Sequence, residues 1–168
     1  NGLDVWSPLH KNGFIQIVSE PGFADSVLIS SSSVLAGDQA TVAVTILNDE
    51  DVSHLTIPIS FDAANFDFVG YQLFGDINSW DNVAIEQTPG TDIIAIVAQA
   101  PEGGFYLNTD GIPEVVVELY FSSNPNALQG NYPFDLANDP VHGSLSFSDL
   151  TSQEWAPFFR NGVVYLYR

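Results

Sequence analysis

Three groups of residues in this 168-residue chain have the types and spacing to do chemistry, and each points to a different kind. Asp49-Glu50-Asp51 and Asp76-Ile77-Asn78-Ser79-Trp80-Asp81 are rich in oxygen donors, and calcium takes about six to eight oxygen ligands. Asp49, Asp51, Asp76, Asn78 and Asp81 are therefore the candidate calcium ligands. Neither segment carries the Gly and Glu that an EF-hand loop needs at its sixth and twelfth positions, and Asp49–Asp51 also reads as a solvated turn. Tyr71, Trp80, Tyr120 and Trp155 are candidate sugar contacts, because a sheet face that binds polysaccharide offers planar rings with polar groups beside them. The competing reading puts the tryptophans in the core and the tyrosines over the sheet edges. The three histidines, His10, His54 and His142, are far apart, and only His142, Ser144 and Asp139 lie close enough in sequence to suggest a nucleophilic triad. Isolated surface residues are the simpler reading of that set. No Gly-x-Ser-x-Gly elbow, His-Glu-x-x-His helix or Gly-rich phosphate loop occurs, and no glycosidase pair stands out among the 21 acids. Catalysis is not expected, nor is any cofactor beyond the candidate calcium.

Composition narrows the partners. Against 21 acidic residues stand only Lys11, Arg160 and Arg168, for a formal net charge of -18. Nucleic acid and anionic membrane surfaces are excluded, because binding phosphates needs clustered cations. The charge keeps the chain dispersed in solution; calcium or a high-salt habitat would also account for it. With 45% hydrophobic and 12% aromatic residues there is ample material for a core. No run approaches the roughly 18 apolar residues of a membrane span, so membrane insertion is not expected. Cysteine is absent, which removes disulfides and thiolate metal sites. Methionine is absent too, and the chain reads as an excised or processed piece of a longer precursor.

The elements that must position these residues are strands. Apolar side chains recur with a period of two: Val42, Val44 and Ile46; Leu55, Ile57, Ile59 and Phe61; Val115, Val117, Leu119 and Phe121; Val164 and Leu166. Further strands are expected at Val27–Ser30, Phe68–Leu73, Val83–Gln87, Ile93–Ala98, Tyr132–Leu136 and Leu145–Phe147. Turn chemistry separates them at Pro21-Gly22, Gly37-Asp38, Pro89-Gly90, Gly103-Gly104, Asp110-Gly111, Gly130-Asn131 and Asn161-Gly162. The nearest helical candidate is Leu150–Trp155, stopped by Pro157. Many short strands with little helix predict an all-β antiparallel sandwich of about nine strands or more. Pro58 lacks an amide donor, so its strand is expected at an edge or bulged there.

Residues 1–26 form an N-terminal extension ahead of a sandwich domain at 27–168. In the extension, Phe14-Ile15-Gln16-Ile17-Val18 is apolar on both faces. A strand of that kind is buried between layers or between chains, which makes Phe14, Ile15, Ile17 and Val18 a candidate assembly strand.

From Ser26 onward the order of elements resembles the cohesin-like β-sandwich, the family of cellulosomal scaffold modules and of relatives unconnected with cellulose. The likeness is carried by Leu35-Ala36-Gly37-Asp38 leading into Gln39–Thr45, by Leu55–Phe61 with the turn Asp62–Phe66, by Asp110–Glu114 running into Val115–Phe121, and by the closing Asn161–Leu166. Ala63-Ala64 stands where the family's turn has Pro, and residues 1–26 are additional. The resemblance implies a cohesin-like jelly roll in an extracellular or cell-surface protein, and a dockerin-like protein partner.

Two functions follow. One is an extracellular, non-catalytic assembly module, which self-associates into filaments if residues 14–18 complete a neighbour's sheet. The alternative is a carbohydrate-binding module of a secreted polysaccharide-active protein.

Overall fold

The structure of the chain, a computed structural model, describes residues 25–168. The expected strand Phe14–Val18, with Phe14, Ile15, Ile17 and Val18, lies outside the described residues. Within them the chain runs through β1 (Ser26–Ile29), β2 (Ser32–Leu35), β3 (Gln39–Leu47), β4 (His54–Ser60), β5 (Phe66–Leu73), a 3-10 turn at Asp76–Ser79, β6 (Asn82–Gln87) and β7 (Ile93–Gln99). It continues through β8 (Glu114–Ser123), β9 (Gly130–Leu136), β10 (Ser146–Ser148), β11 (Glu154–Trp155), β12 (Phe158–Arg160) and β13 (Gly162–Tyr167). No helix among the described residues is long and apolar enough to cross a membrane.

The strands form two sheets. One has the order β12-β1-β3-β8-β5. The other has the order β11-β10-β4-β9-β13-β2, with β7 on the remaining edge of β4 and β6 beyond it. The all-β sandwich is as expected, but the sheets are mixed rather than purely antiparallel. β1 pairs in parallel with β12, and β2 in parallel with β13. The reason is a double crossing. The chain leaves the first sheet for the second after Ile29, and does so again after Arg160, side by side and in the same direction. Asn161-Gly162, expected as a turn, is the second of these crossings. A Cβ on Gly162 would sit 2.2 Å from the Ser30 carbonyl oxygen and 2.6 Å from Ile29 Cγ2, so only glycine admits the close approach.

Most inward faces match the period-two expectation. Val42, Val44, Ile46, Leu55, Ile57, Ile59, Phe61, Val117, Leu119, Phe121, Val164 and Leu166 are all buried. Phe61, Phe66, Phe121 and Phe134 meet in an aromatic cluster, with the Phe121 and Phe134 centroids 4.9 Å apart. Val115 departs from the pattern and is 40% exposed. Val44 faces Val117 while Thr45 faces Val115, so Val116 is an extra residue in β8. This bulge sends Val115 to the outer side and buries Val116 instead.

Pro58 also departs from expectation. Its strand is internal, and its pairing with β7 is unbroken from His54 to Ser60. On the other edge, β10 covers residues 54–56 and β9 covers residues 59 and 60. The Pro58 carbonyl accepts from Ala137 N–H on that side, and the N and O of a strand residue point the same way. The missing N–H therefore faces the seam between β10 and β9, where no ladder bond is lost.

The helical expectation for Leu150–Trp155 is overturned. The Asp149 carboxylate accepts the N–H groups of Thr151 and Gln153, locking a turn in which Ser152 has φ 62°, and Glu154–Trp155 then pair with β10. Side-chain bonding to nearby backbone displaces the helix here.

Candidate docking surface

Register assigns the outward side chains of the larger sheet. Leu55, Ile57 and Ile59 point into the core, so His54, Thr56, Pro58 and Ser60 of β4 point out. They lie beside Gln99, Val97, Ala95 and Ile93 of β7. Beyond these come Asn82, Ala84 and Glu86 of β6; on the other side are Ser146 and Ser148 of β10 and Glu154 of β11. The centre is made of small side chains. Thr56, Pro58 and Ala95 are buried even though they point away from the core, and Val97 is half-buried. The rim is polar and charged. The part of this face open to solvent is therefore Ala84, Val97 and Gln99 with the polar rim around them.

One border is a loop that its own carboxylate holds in place. Asp139 is 2% exposed and accepts hydrogen bonds from the Thr88 hydroxyl, from Val141 N–H at 2.8 Å and from His142 N–H at 2.7 Å. Burial raises its pKa, but the Thr88 hydroxyl and the His142 and Val141 amides outweigh it and hold the carboxyl below the usual range. The loop thus sets the His142 imidazole 3.6 Å from Glu86 and leaves Val141 66% exposed beside the sheet. His142, Ser144 and Asp139 form no triad. The Ser144 hydroxyl donates to Asn138 Oδ1, the imidazole lies against Glu86, and Asp139 binds backbone amides.

At the His54 end the sheet opens into a cleft of about 520 Å³. Its lining includes His54, Gln99, Glu102, Tyr106, Asp149 and Glu154. Leu150 forms part of the wall and is 62% exposed. Hydrogen bonds from the Thr151 hydroxyl and the Gln153 amide hold Asp149 below the usual carboxylate range.

The four candidate sugar contacts do not make a row. Trp80 is in the core, and its indole N–H donates to the Phe105 carbonyl at 2.9 Å, so it is withdrawn as a contact. Tyr71 pairs with inward-facing Leu119, whereas Tyr120 points outward, with its hydroxyl 3.1 Å from both Gln72 and Glu118. Trp155 packs edge-on against Phe147 and donates to Asp25 Oδ2 at 2.5 Å. Among the described residues no three His, Asp or Glu side chains converge in a way that could hold a metal ion. Of the calcium candidates, Asp51 accepts from the Asn108 amide, while Asp49, Asp76, Asn78 and Asp81 are exposed.

Sequence reasoning missed the buried Asn48. Its Nδ2 donates to the carbonyls of Glu50 and Leu107, and its Oδ1 accepts from Thr109 N–H. It ties the end of β3 to the segment after residue 106. It also missed the outward side of β4 and β7, whose central residues Thr56, Pro58, Ala95 and Val97 carry no reactive group.

Solved structures share this architecture. A cohesin from Clostridium acetobutylicum is 19% identical over 86% of this chain and 92% of its own, with a TM-score of 0.68. The cohesin of a Clostridium thermocellum OlpA cohesin–dockerin complex is 16% identical, with 86% and 100% covered and a TM-score of 0.70. A non-cellulosomal cohesin from the archaeon Archaeoglobus fulgidus is 12% identical, with 87% and 93% covered and a TM-score of 0.65. The chain has a cohesin-like fold. No protein-family model matches the sequence, and neither does any curated protein.

Proposed function

We propose that this domain is a non-catalytic protein-docking module of an extracellular or cell-surface assembly, and that the outer face of β6, β7, β4 and β10 receives a dockerin-type partner. One observation carries this reading: the larger sheet of a cohesin-like sandwich turns accessible Ala84, Val97 and Gln99 outward, inside a polar rim of Asn82, Glu86, Ser148 and Glu154. Fold alone hosts many functions, so the face is the part of the reading that refers to this chain in particular.

Calorimetric titration of the full chain with a panel of dockerins tests it. Saturable one-to-one binding by at least one of them is expected. Heats no larger than dilution for every dockerin, alongside saturable binding to a soluble polysaccharide, would replace this reading with the carbohydrate one.

Self-association is proposed as a second use of the same chain. The pentapeptide Phe14–Val18 is apolar on both faces, and the outer edges of β5 and β6 have no strand partner among the described residues. Deleting residues 1–20 is expected to leave a folded domain that no longer polymerises in light scattering. Unchanged scattering would remove this use.

A further inference from the structure

Among the described residues the formal charges on this face are all negative. Glu86 and Glu154 point outward from β6 and β11, and Asp135 of β9 pairs with outward-facing Ser60. Glu102 and Asp149 join Glu154 around the cleft. The two arginines among the described residues are placed elsewhere. Arg160 lies on β12 beside Leu28 in the other sheet, and the Arg168 guanidinium donates to the carbonyls of Asn126 and Ala127. The same cleft has an apolar wall of Tyr106, Pro101 and exposed Leu150. Apolar wall and carboxylate rim together match one kind of side chain, a long aliphatic stem that ends in a cation.

We infer that the partner enters the cleft with a Lys- or Arg-bearing segment, its stem along Tyr106 and Leu150 and its cation among Glu102, Asp149 and Glu154. This rests on the docking reading of the face and adds the chemistry of what docks. A neutral apolar segment would cover the Glu102 and Glu154 carboxylates without pairing them, which is costly. An acidic segment would meet like charge across the whole approach.

The probe is a blocked hexapeptide with two arginines set among leucines, compared with a twin that has glutamines in their place. Both are titrated into the full chain and followed by NMR at low and at moderate salt. The arginine peptide is expected to bind at least about tenfold more tightly than its twin, and to weaken as salt rises. Glu102→Gln combined with Glu154→Gln should cost about tenfold, because the cation then loses partners in the cleft. Asp67→Asn combined with Glu114→Gln changes the net charge equally on the other sheet and should cost no more than about twofold. All four side chains are exposed, so folding is not at stake. Equal losses in the two double variants would reduce the effect to general attraction by a polyanion and overturn the inference. So would equal binding of the two peptides. A dockerin that binds the Glu102→Gln, Glu154→Gln chain as tightly as the natural one would overturn this inference alone and leave the docking reading standing.

Discussion

Asp139→Ala perturbs the point where the fold holds the loop that borders the proposed docking face. The side chain is almost fully buried, and it is the acceptor for three donors: the Thr88 hydroxyl and the amides of Val141 and His142. Hydrogen bonds to a charged group contribute about 1.5–3 kcal/mol each. A simple sum overshoots, because Val141 is exposed and its freed amide recovers water, and because removing the carboxylate also removes its desolvation cost. A net loss of about 2–4 kcal/mol remains, in the range for breaking a buried network. Urea denaturation at pH 7 should show it as a lower midpoint with an unchanged slope. The pH dependence supplies a second check. The folded pKa of Asp139 is depressed, so its contribution is full above the unfolded pKa of about 3.9 and is lost as pH falls through the folded value. The gap between natural chain and variant should therefore close in strong acid. A variant within about 0.5 kcal/mol of the natural chain at pH 7 would refute the reasoning, because that is the range of an ordinary surface substitution.

Three other substitutions and one control test the frame. Gly162→Ala places a methyl 2.2 Å from the Ser30 carbonyl oxygen and should cost about 3 kcal/mol or more, or prevent folding. Gly130→Ala, which meets nothing within 4 Å, is its control and should melt close to the natural chain. Asn48→Ala removes two bonds to the Glu50 and Leu107 carbonyls and leaves the buried Thr109 amide without its acceptor, although Leu107 keeps the Val52 amide, and should cost about 1–3 kcal/mol in the same denaturation assay. Asp25→Asn should raise the melting temperature at pH 7. Burial pushes the Asp25 pKa up, the Trp155 hydrogen bond opposes this, and the charges of Asp49 and Glu50 push it up further. A carboxyl whose folded pKa is raised favours the fold when protonated and loses that contribution as pH rises through the folded value. The gain in the variant should therefore shrink as pH falls through the raised folded value and be gone below the unfolded value of about 3.9, and no gain at pH 7 would contradict the assignment.

Much of the fold was legible because period-two patterning is a direct print of a half-buried strand. β3 and β13 show it almost residue for residue, whereas β4 alternates in sequence but is buried on both sides. The failures have physical causes. β2 and β12 are short edge strands at the sheet crossing, where pairing depends on partners over 120 residues away in sequence. Val115 was misplaced because a bulge adds one residue and reverses the faces, which alternation alone does not reveal. Leu150–Trp155 kept a helical composition while the Asp149 side chain took the amides a helix would need. The proposed docking face was not legible at all. Its centre, Ala84, Val97 and Gln99, is made of unreactive side chains that only the register of β6, β7 and β4 brings together. The aromatics and acids that did stand out in the sequence were dispersed: Trp80 went to the core, and Tyr71 and Tyr120 went to opposite sides of one sheet.

The most direct test of the docking claim compares two arginine substitutions against a dockerin that binds the natural chain. Ala84→Arg places a long cation on the proposed face, beside Val97 in the register. Ala43→Arg does the same at the middle of the outer side of the five-stranded sheet, where β3 lies between β1 and β8. Titration calorimetry should show affinity falling about a hundredfold for Ala84→Arg, about 2.7 kcal/mol, and unchanged for Ala43→Arg. Loss of binding in Ala43→Arg with full affinity in Ala84→Arg would place the partner on the opposite sheet and contradict the docking claim.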